Sequence, residues 1–193
     1  MDGTDDFWVF GYGSLMWNPG FAFEEARLAL LAGYHRAFCI FSHHYRGTPS
    51  EPGLVLGLAP GGFCRGLAFR VAADVADQVR AYLDERELIG YAYLARNLTV
   101  VLDGDDDGGC GGEKVTAYTF VADTAHSQYA GNLSIEAAAP IIMGAAGAAG
   151  LNRDYLINTV RRLEREGIAD PHLHALLRRI EYLTGLIEAG GGI

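Results

Sequence analysis

The sequence predicts an α+β fold on three observations. Strand-type segments fill the first two-thirds of the chain, helix-type segments fill the last third, and one helical stretch interrupts the strands. A doubly wound parallel sheet would alternate the two patterns instead. At 193 residues the chain suits one cored domain, 1–193, rather than two.

The predicted strands are Phe7–Tyr12, Tyr34–Phe41, Leu54–Leu58, Arg65–Val71, Tyr91–Leu102 and Lys114–Val121. Each is rich in β-branched and aromatic residues and is bounded by Gly or Pro. The interrupting helix runs from Ala73 to about Leu88. The loop "DGDDDGGCGGEK" (103–114) separates two strong strands. Asp103, Asp105, Asp107 and Gly108 fall where a calcium loop needs them, but the twelfth position is Lys114 instead of a bidentate Glu. Strand-type flanks also fit a hairpin, so this reads as an acidic, disorder-prone loop. Helices follow over Ser134–Ala149, Arg153–Glu166 and Pro171–Glu188. Asp170 before Pro171 is a capping carboxylate followed by Pro in the first turn. Leu173, Leu176, Leu177, Ile180, Leu183 and Ile187 then make a one-sided apolar stripe.

Half of the residues are hydrophobic, a fifth are charged, and the net charge is −9. That balance excludes non-specific nucleic-acid binding, which needs excess Lys and Arg to neutralise phosphates. Three cysteines, Cys39, Cys64 and Cys110, show neither metal-type spacing nor an even disulfide set. The acidic N-terminus lacks the basic region of a signal peptide. The longest apolar stretch, 137–151, is short for a membrane span and contains Pro140. These features predict a soluble cytoplasmic protein with no membrane and no nucleic-acid partner.

"FGYGSLMW" (10–17) ends the first strand. Gly11 and Gly13 give G-x-G, but the sixth position is Met16 and an Asn-Pro-Gly turn follows, so a dinucleotide site is not supported. A strand-terminating turn fits, and so does a nest of backbone N–H groups for a carboxylate or oxyanion. In "YLDERELIGY" three acids compete. At about 100° per residue, Val75, Val79, Tyr82 and Leu83 form one apolar arc. Asp84 and Glu85 fall outside it and are expected to face water. Glu87 continues the four-residue ladder from Val75 at the arc's edge, and Arg86 lies nearer its centre. A carboxylate against an apolar wall suits a general base; an Arg86–Glu87 pair finishing a helix answers the same pattern. His43 and His44 adjoin and should point apart in a strand, as should His172 and His174 on a helix, so no metal site is assigned. Arg46 and Gly47 can bind an anionic group or simply form a Pro/Gly-rich loop. Cys39 reads as a buried, inert thiol. Tyr129 suits either packing or hydroxyl donation.

Taken in order, "FGYGSLMW", "HYRGTPSEPGLVLGL", "CRGLAF", "YLDERE", "TFVAD", "YAGNLS" and "GLNRDYL" resemble the ChaC family of γ-glutamylcyclotransferases over about Trp8 to Leu177. The resemblance implies a small mixed β-barrel flanked by helices. It implies cleavage of glutathione to 5-oxoproline and cysteinylglycine, without metal or cofactor. It carries the catalytic acid to Glu87, the substrate loop to Tyr12, Gly13, Ser14 and Leu15, and a substrate tyrosine to Tyr129. Arg46 joins the expected substrate residues. Gln78 stands nine residues before Glu87, where some eukaryotic members carry a second Glu, which weakens a two-carboxylate mechanism here. The acidic loop looks like a local insertion.

Overall fold

The structure, a computed structural model, describes residues 7–88, 90, 92–104 and 112–185. Contacts divide the chain into two compact units: Met1–Arg36 with Gly57–His126, and Ala37–Leu56 with Ser127–Ile193.

Five strands close a barrel in the order β1-β3-β2-β4-β5. They are β1 (Phe7–Gly11), β2 (Glu25–Ser42), β3 (Gly53–Val71), β4 (Tyr93–Leu102) and β5 (Lys114–Ala122). The barrel is mixed. β1 runs parallel to β5 and antiparallel to β3, and β4 is antiparallel to β2 and β5. Closure removes the exposed strand edges that an open sheet would leave. Both cuts between the units fall inside strands, after Arg36 in β2 and before Gly57 in β3.

Two predicted strands prove to be one. Leu54–Leu58 and Arg65–Val71 both belong to the 19-residue β3. Pro60, Gly61 and Gly62 stand between the two predicted strands, yet the strand passes through them with Gly61 and Gly62 at φ of 95° and 71°. Positive φ at glycine re-aims a strand without ending it. β2 likewise begins nine residues before the expected Tyr34, and Gly33, at φ 87°, lies within it. Tyr91 and the calcium-like residues 105–111 lie outside the described residues. Asp103 is described, and its carboxylate pairs with Arg65 while its carbonyl accepts from Arg27 Nη2 at 2.6 Å.

In the barrel unit, helix α1 (Ala76–Glu87) follows a 3₁₀ turn at Ala73–Val75. Val79 and Leu83 are buried against Val9, Phe69, Val71, Tyr118 and Phe120, together with Leu15 from a 3₁₀ turn at Ser14–Met16. Burial of a Leu or Val side chain is worth about 1.5–3 kcal/mol. One apolar cluster therefore anchors both the turn after β1 and the helix that ends on Glu87.

The second unit holds α2 (Ile135–Gly144), α3 (Asn152–Arg165) and α4 (Pro171–Leu183). The cap read from the sequence at Asp170 is present, and Ser134 caps α2 in the same way. Ser134 Oγ accepts from Ala137 N at 3.2 Å, and Asp170 Oδ1 accepts from Leu173 N at 3.1 Å. Leu156, Val160, Leu163, Leu173, Leu176 and Ile180 are buried. The expected helix over Ser134–Ala149 stops at Gly144, and a short hairpin follows, β6 (Ala146–Gly147) with β7 (Gly150–Leu151). A Cβ on Gly147 would strike His44 O and Gly47 N, so backbone passes there where no side chain fits. α4 ends at Leu183, a member of the predicted stripe, and the predicted extension beyond 185 lies outside the described residues.

Candidate active site

The turn after β1 is set by close packing. A Cβ on Gly11 would lie 3.1 Å from Leu15 Cβ and 3.3 Å from the Phe69 ring. The 3₁₀ turn starts its internal bonds at Met16, whose N–H donates to Gly13 O at 2.9 Å; Asn18 N donates to Ser14 O, also at 2.9 Å. The first N–H groups of any helical turn have no internal acceptor, and here those belong to Ser14 and Leu15. Tyr12 and Leu15 bury their side chains, whereas Ser14 is half-buried. Arg36 fixes the turn from below. The residue is only 4% exposed, and its guanidinium donates from Nε to Tyr12 O at 2.5 Å and from Nη2 to Arg65 O at 2.6 Å. Nothing in the local pattern "YHRAFCIF" marks Arg36 as a support for a turn 24 residues earlier.

Glu87 occupies the last position of α1, one step beyond the Val79–Leu83 ladder, and its side chain is 22% exposed. Burial pushes its carboxyl above the ordinary glutamate value, and the adjacent Arg86 guanidinium pulls it part of the way back. The Arg86–Glu87 pair anticipated from sequence is present, with Arg86 Nε 3.1 Å from Glu87 Oε1. Arg86 also reaches well beyond its helix. Nη1 donates to Asn18 O at 2.7 Å, to Pro19 O at 3.1 Å and to the Tyr82 hydroxyl at 3.1 Å. Nη2 donates to Ser14 Oγ at 3.2 Å. Gly20, at φ 76°, is required beside this clasp, because a Cβ there would run into the Tyr82 hydroxyl. The structure thus joins Glu87 to Ser14 through one guanidinium.

Glu85 is exposed, as the helical arc requires, but Asp84 is not left to water. It is half-buried, and the Tyr118 hydroxyl donates to its Oδ1. The arc placed Asp84 correctly outside the helix's own apolar face; β5 then brings a tyrosine to it from 34 residues away. Burial and the Asp84 carboxylate together push the Tyr118 phenol up to about 12. Arg80 lies over the Tyr118 ring at 4.5 Å and over the Phe7 ring at 4.8 Å.

Tyr129 and Arg46 belong to the second unit. Tyr129 pairs with Ile40 in an isolated antiparallel bridge, flanked by Ala130 N donating to Cys39 O at 2.8 Å and Phe41 N donating to Gln128 O at 2.8 Å. Burial raises its phenol above the usual tyrosine value, with Cys39 adding to the effect. Cys39 itself is fully buried, as expected of an inert thiol. Arg46 donates from Nη1 to Ala149 O at 2.6 Å and stacks over Tyr155 at 5.0 Å. It therefore fastens the Pro/Gly loop to the β6–β7 hairpin. Asn152, within "GLNRDYL", is fully buried. Its Oδ1 accepts from Leu54 N and its Nδ2 donates to Leu54 O, each at 2.7 Å, which copies a strand partner with one side chain. Among the described residues no group of three His, Cys, Asp or Glu side chains is placed to hold a metal ion.

The fold has a solved counterpart. The crystal structure of a γ-glutamyl cyclotransferase specific to glutathione from yeast superposes with a TM-score of 0.81, at 22% identity, covering 92% of this chain and 96% of that one. The fold class is therefore the γ-glutamylcyclotransferase-like one. The family model of ChaC-like proteins matches residues 7–183, and the chain belongs to that family. It is 38% identical over 176 residues to the glutathione-specific γ-glutamylcyclotransferase of Escherichia coli K12, covering 91% of this chain and 73% of that protein. It is 30% identical over 174 residues to glutathione-specific γ-glutamylcyclotransferase 1 of Homo sapiens, covering 88% and 76%.

Proposed function

We propose that this protein cleaves glutathione by intramolecular aminolysis, releasing 5-oxoproline and cysteinylglycine. The observation that carries the reading is Glu87, a carboxylate made more basic by burial and linked to the Ser14 turn. Family membership and the glutathione-specific relatives support the choice of substrate.

The substrate supplies its own nucleophile, so no nucleophilic side chain is needed. The γ-glutamyl α-amine attacks the γ-carbonyl carbon, a five-membered ring closes, and the bond to the cysteinyl nitrogen breaks. Two protons must pass from the attacking to the leaving nitrogen, because an ammonium becomes a lactam N–H while an amide N–H becomes an ammonium. Glu87 takes one proton from the attacking nitrogen and returns it to the leaving nitrogen as the C–N bond breaks; the other is lost by the ammonium to water and regained from water by the released amine. An ordinary Glu near 4.3 faces an α-amine near 8, a mismatch of roughly 5 kcal/mol. Burial of Glu87 narrows that gap. Ring closure is already unimolecular, so the protein's part is to hold the folded conformer, a contribution of about 7 kcal/mol in favourable cases.

In this reading the Tyr12–Leu15 turn binds the substrate through the backbone N–H groups around Gly13–Leu15 and the Ser14 hydroxyl, the buried Tyr12 and Leu15 side chains fixing its shape. In the second unit, the resemblance to the family carries Tyr129, and the anionic-group reading carries Arg46, as further substrate residues of this proposal. No metal, cofactor, nucleic acid or membrane takes part, and the reaction is cytoplasmic. No helix among the described residues is long and apolar enough to cross a membrane.

N-acetylated glutathione tests the ring-closure step. Glutathione should yield 5-oxoproline, and the acetylated compound, whose nitrogen cannot attack, should yield nothing. Release of cysteinylglycine from the acetylated compound, or of glutamate from glutathione, would show hydrolysis and sink the proposal.

A further inference from the structure

We propose that Arg86 is a positioning residue that locks the Glu87 carboxylate to the Tyr12–Leu15 turn, so that base and substrate turn move as one piece. This rests on the role of Glu87 proposed above. Neighbours in a helix point about 100° apart and do not normally pair. Here the pair forms because Glu87 is the last helical residue and Arg86 lays its guanidinium across the helix end, Nε toward Glu87 at 3.1 Å. The remaining nitrogens all turn to other groups: Asn18 O, Pro19 O, the Tyr82 hydroxyl and Ser14 Oγ. A guanidinium presents its five N–H donors in a fixed fork, so satisfying the turn fixes the direction of Nε as well. An ammonium cannot do this, because its three donors rotate freely on a flexible stem.

The arrangement also bears on the charge of Glu87. Burial works against ionised Glu87, and Arg86 is the cation that works for it. The other charged groups nearby are committed elsewhere. Asp84, one turn back, accepts from Tyr118 of β5, and Arg80 lies over the rings of Tyr118 and Phe7. From the turn after β1 only the neutral Ser14 hydroxyl and the Asn18 and Pro19 carbonyls face the guanidinium. Arg86 thus favours the carboxylate form of Glu87 against its burial, and the substrate's ammonium can take over as its partner.

The test compares wild type, Arg86→Gln and Arg86→Lys by two independent readouts. The first is the titration of the Glu87 side-chain carboxyl by ¹³C NMR, together with the backbone amide signals of residues 12–15. Arg86→Gln should move the Glu87 midpoint to higher pH and shift the amides of the turn. Arg86→Lys should restore the midpoint toward wild type and leave the turn's amides displaced. The second is kcat for glutathione, which should fall about a hundredfold in both variants, the size expected of a misplaced reacting group. An unmoved midpoint with unmoved amides in Arg86→Gln overturns the inference, whether or not glutathione is turned over. Wild type that leaves glutathione intact overturns the functional reading instead, and the NMR titration still decides the linkage. A lysine variant with wild-type kcat would also contradict it, since charge alone would then suffice.

Discussion

Glu87 sits where stability alone would not put it. A carboxylate in the last turn of a helix meets the negative end of the macrodipole, at a cost of about 0.3–1 kcal/mol, and burial adds to the penalty. Local conflicts of this kind are expected at functional positions. The sign of the linkage follows. Because the folded-state pKa is raised, the folded protein binds the proton more tightly, and stability falls as pH rises from the unfolded value of about 4.3 through the raised one. Glu87→Gln is therefore expected to melt higher than wild type at pH 7, with the gain vanishing below about pH 4; a variant that melts lower at pH 7 would contradict the burial argument. Asp84→Asn should bring the Tyr118 phenol down from about 12 toward the ordinary value, read as phenolate absorbance in an alkaline titration. No movement would mean that the Asp84 contact is absent in solution. At this scale the sequence carried Glu87 well, because its apolar ladder is local. It could not carry Asp84, Arg36 or the reach of Arg86 beyond its anticipated pairing with Glu87, because those partners are brought in from other segments by folding.

At the scale of elements, α3 and α4 are joined by a titratable clip. His174 Nδ1 faces Asp170 O at 2.7 Å and Nε2 faces Glu164 Oε1 at 2.9 Å. Both partners are acceptors, so the doubly protonated ring fits, and its pKa is raised first by the Asp170 carbonyl and then by Glu164. The stabilisation is complete below the unfolded histidine value of about 6.5 and is lost as pH rises through the higher folded value. The melting-temperature gap between wild type and His174→Gln should accordingly be larger at pH 6 than at pH 9; an equal gap would remove the clip. Asn152→Ala should cost about 2–4 kcal/mol in denaturant unfolding, since it strips both partners from the buried Leu54 backbone. A cost within 0.5 kcal/mol, the usual range for surface changes, would mean that water replaces it. Strands and capped helices were legible from β-branched runs and from Ser134 and Asp170. Strand lengths were not. "EARLALLAG" has helix-type composition yet forms the first half of β2, because barrel pairing overrides local propensity: Ala29, Leu30 and Leu31 lie opposite Leu102, Val101 and Val100. "APGG" punctuates like a turn and is a strand segment, because glycine at positive φ serves either purpose. The β6–β7 hairpin was hidden in an alanine-rich stretch, where small residues suit a helix as well as the close backbone crossing at Gly147.

For the whole molecule, the closed mixed barrel and the ChaC-like family place the chain among relatives named as glutathione-specific γ-glutamylcyclotransferases, and the net charge of −9 means that, on the proposal above, an anionic substrate is held by local groups such as the turn after β1. A protein that relies on its substrate's own amine needs one good base more than it needs a charged cleft. The most direct measurement is product release from glutathione by wild type and Glu87→Gln, with a chelator present throughout. Wild type should release 5-oxoproline and cysteinylglycine in equal amounts despite the chelator. Glu87→Gln, still folded, should lose roughly 10²–10⁴-fold in rate, the usual contribution of general acid–base catalysis. Near-wild-type turnover in Glu87→Gln, or wild-type activity that disappears with the chelator and returns with added metal, would contradict the mechanism.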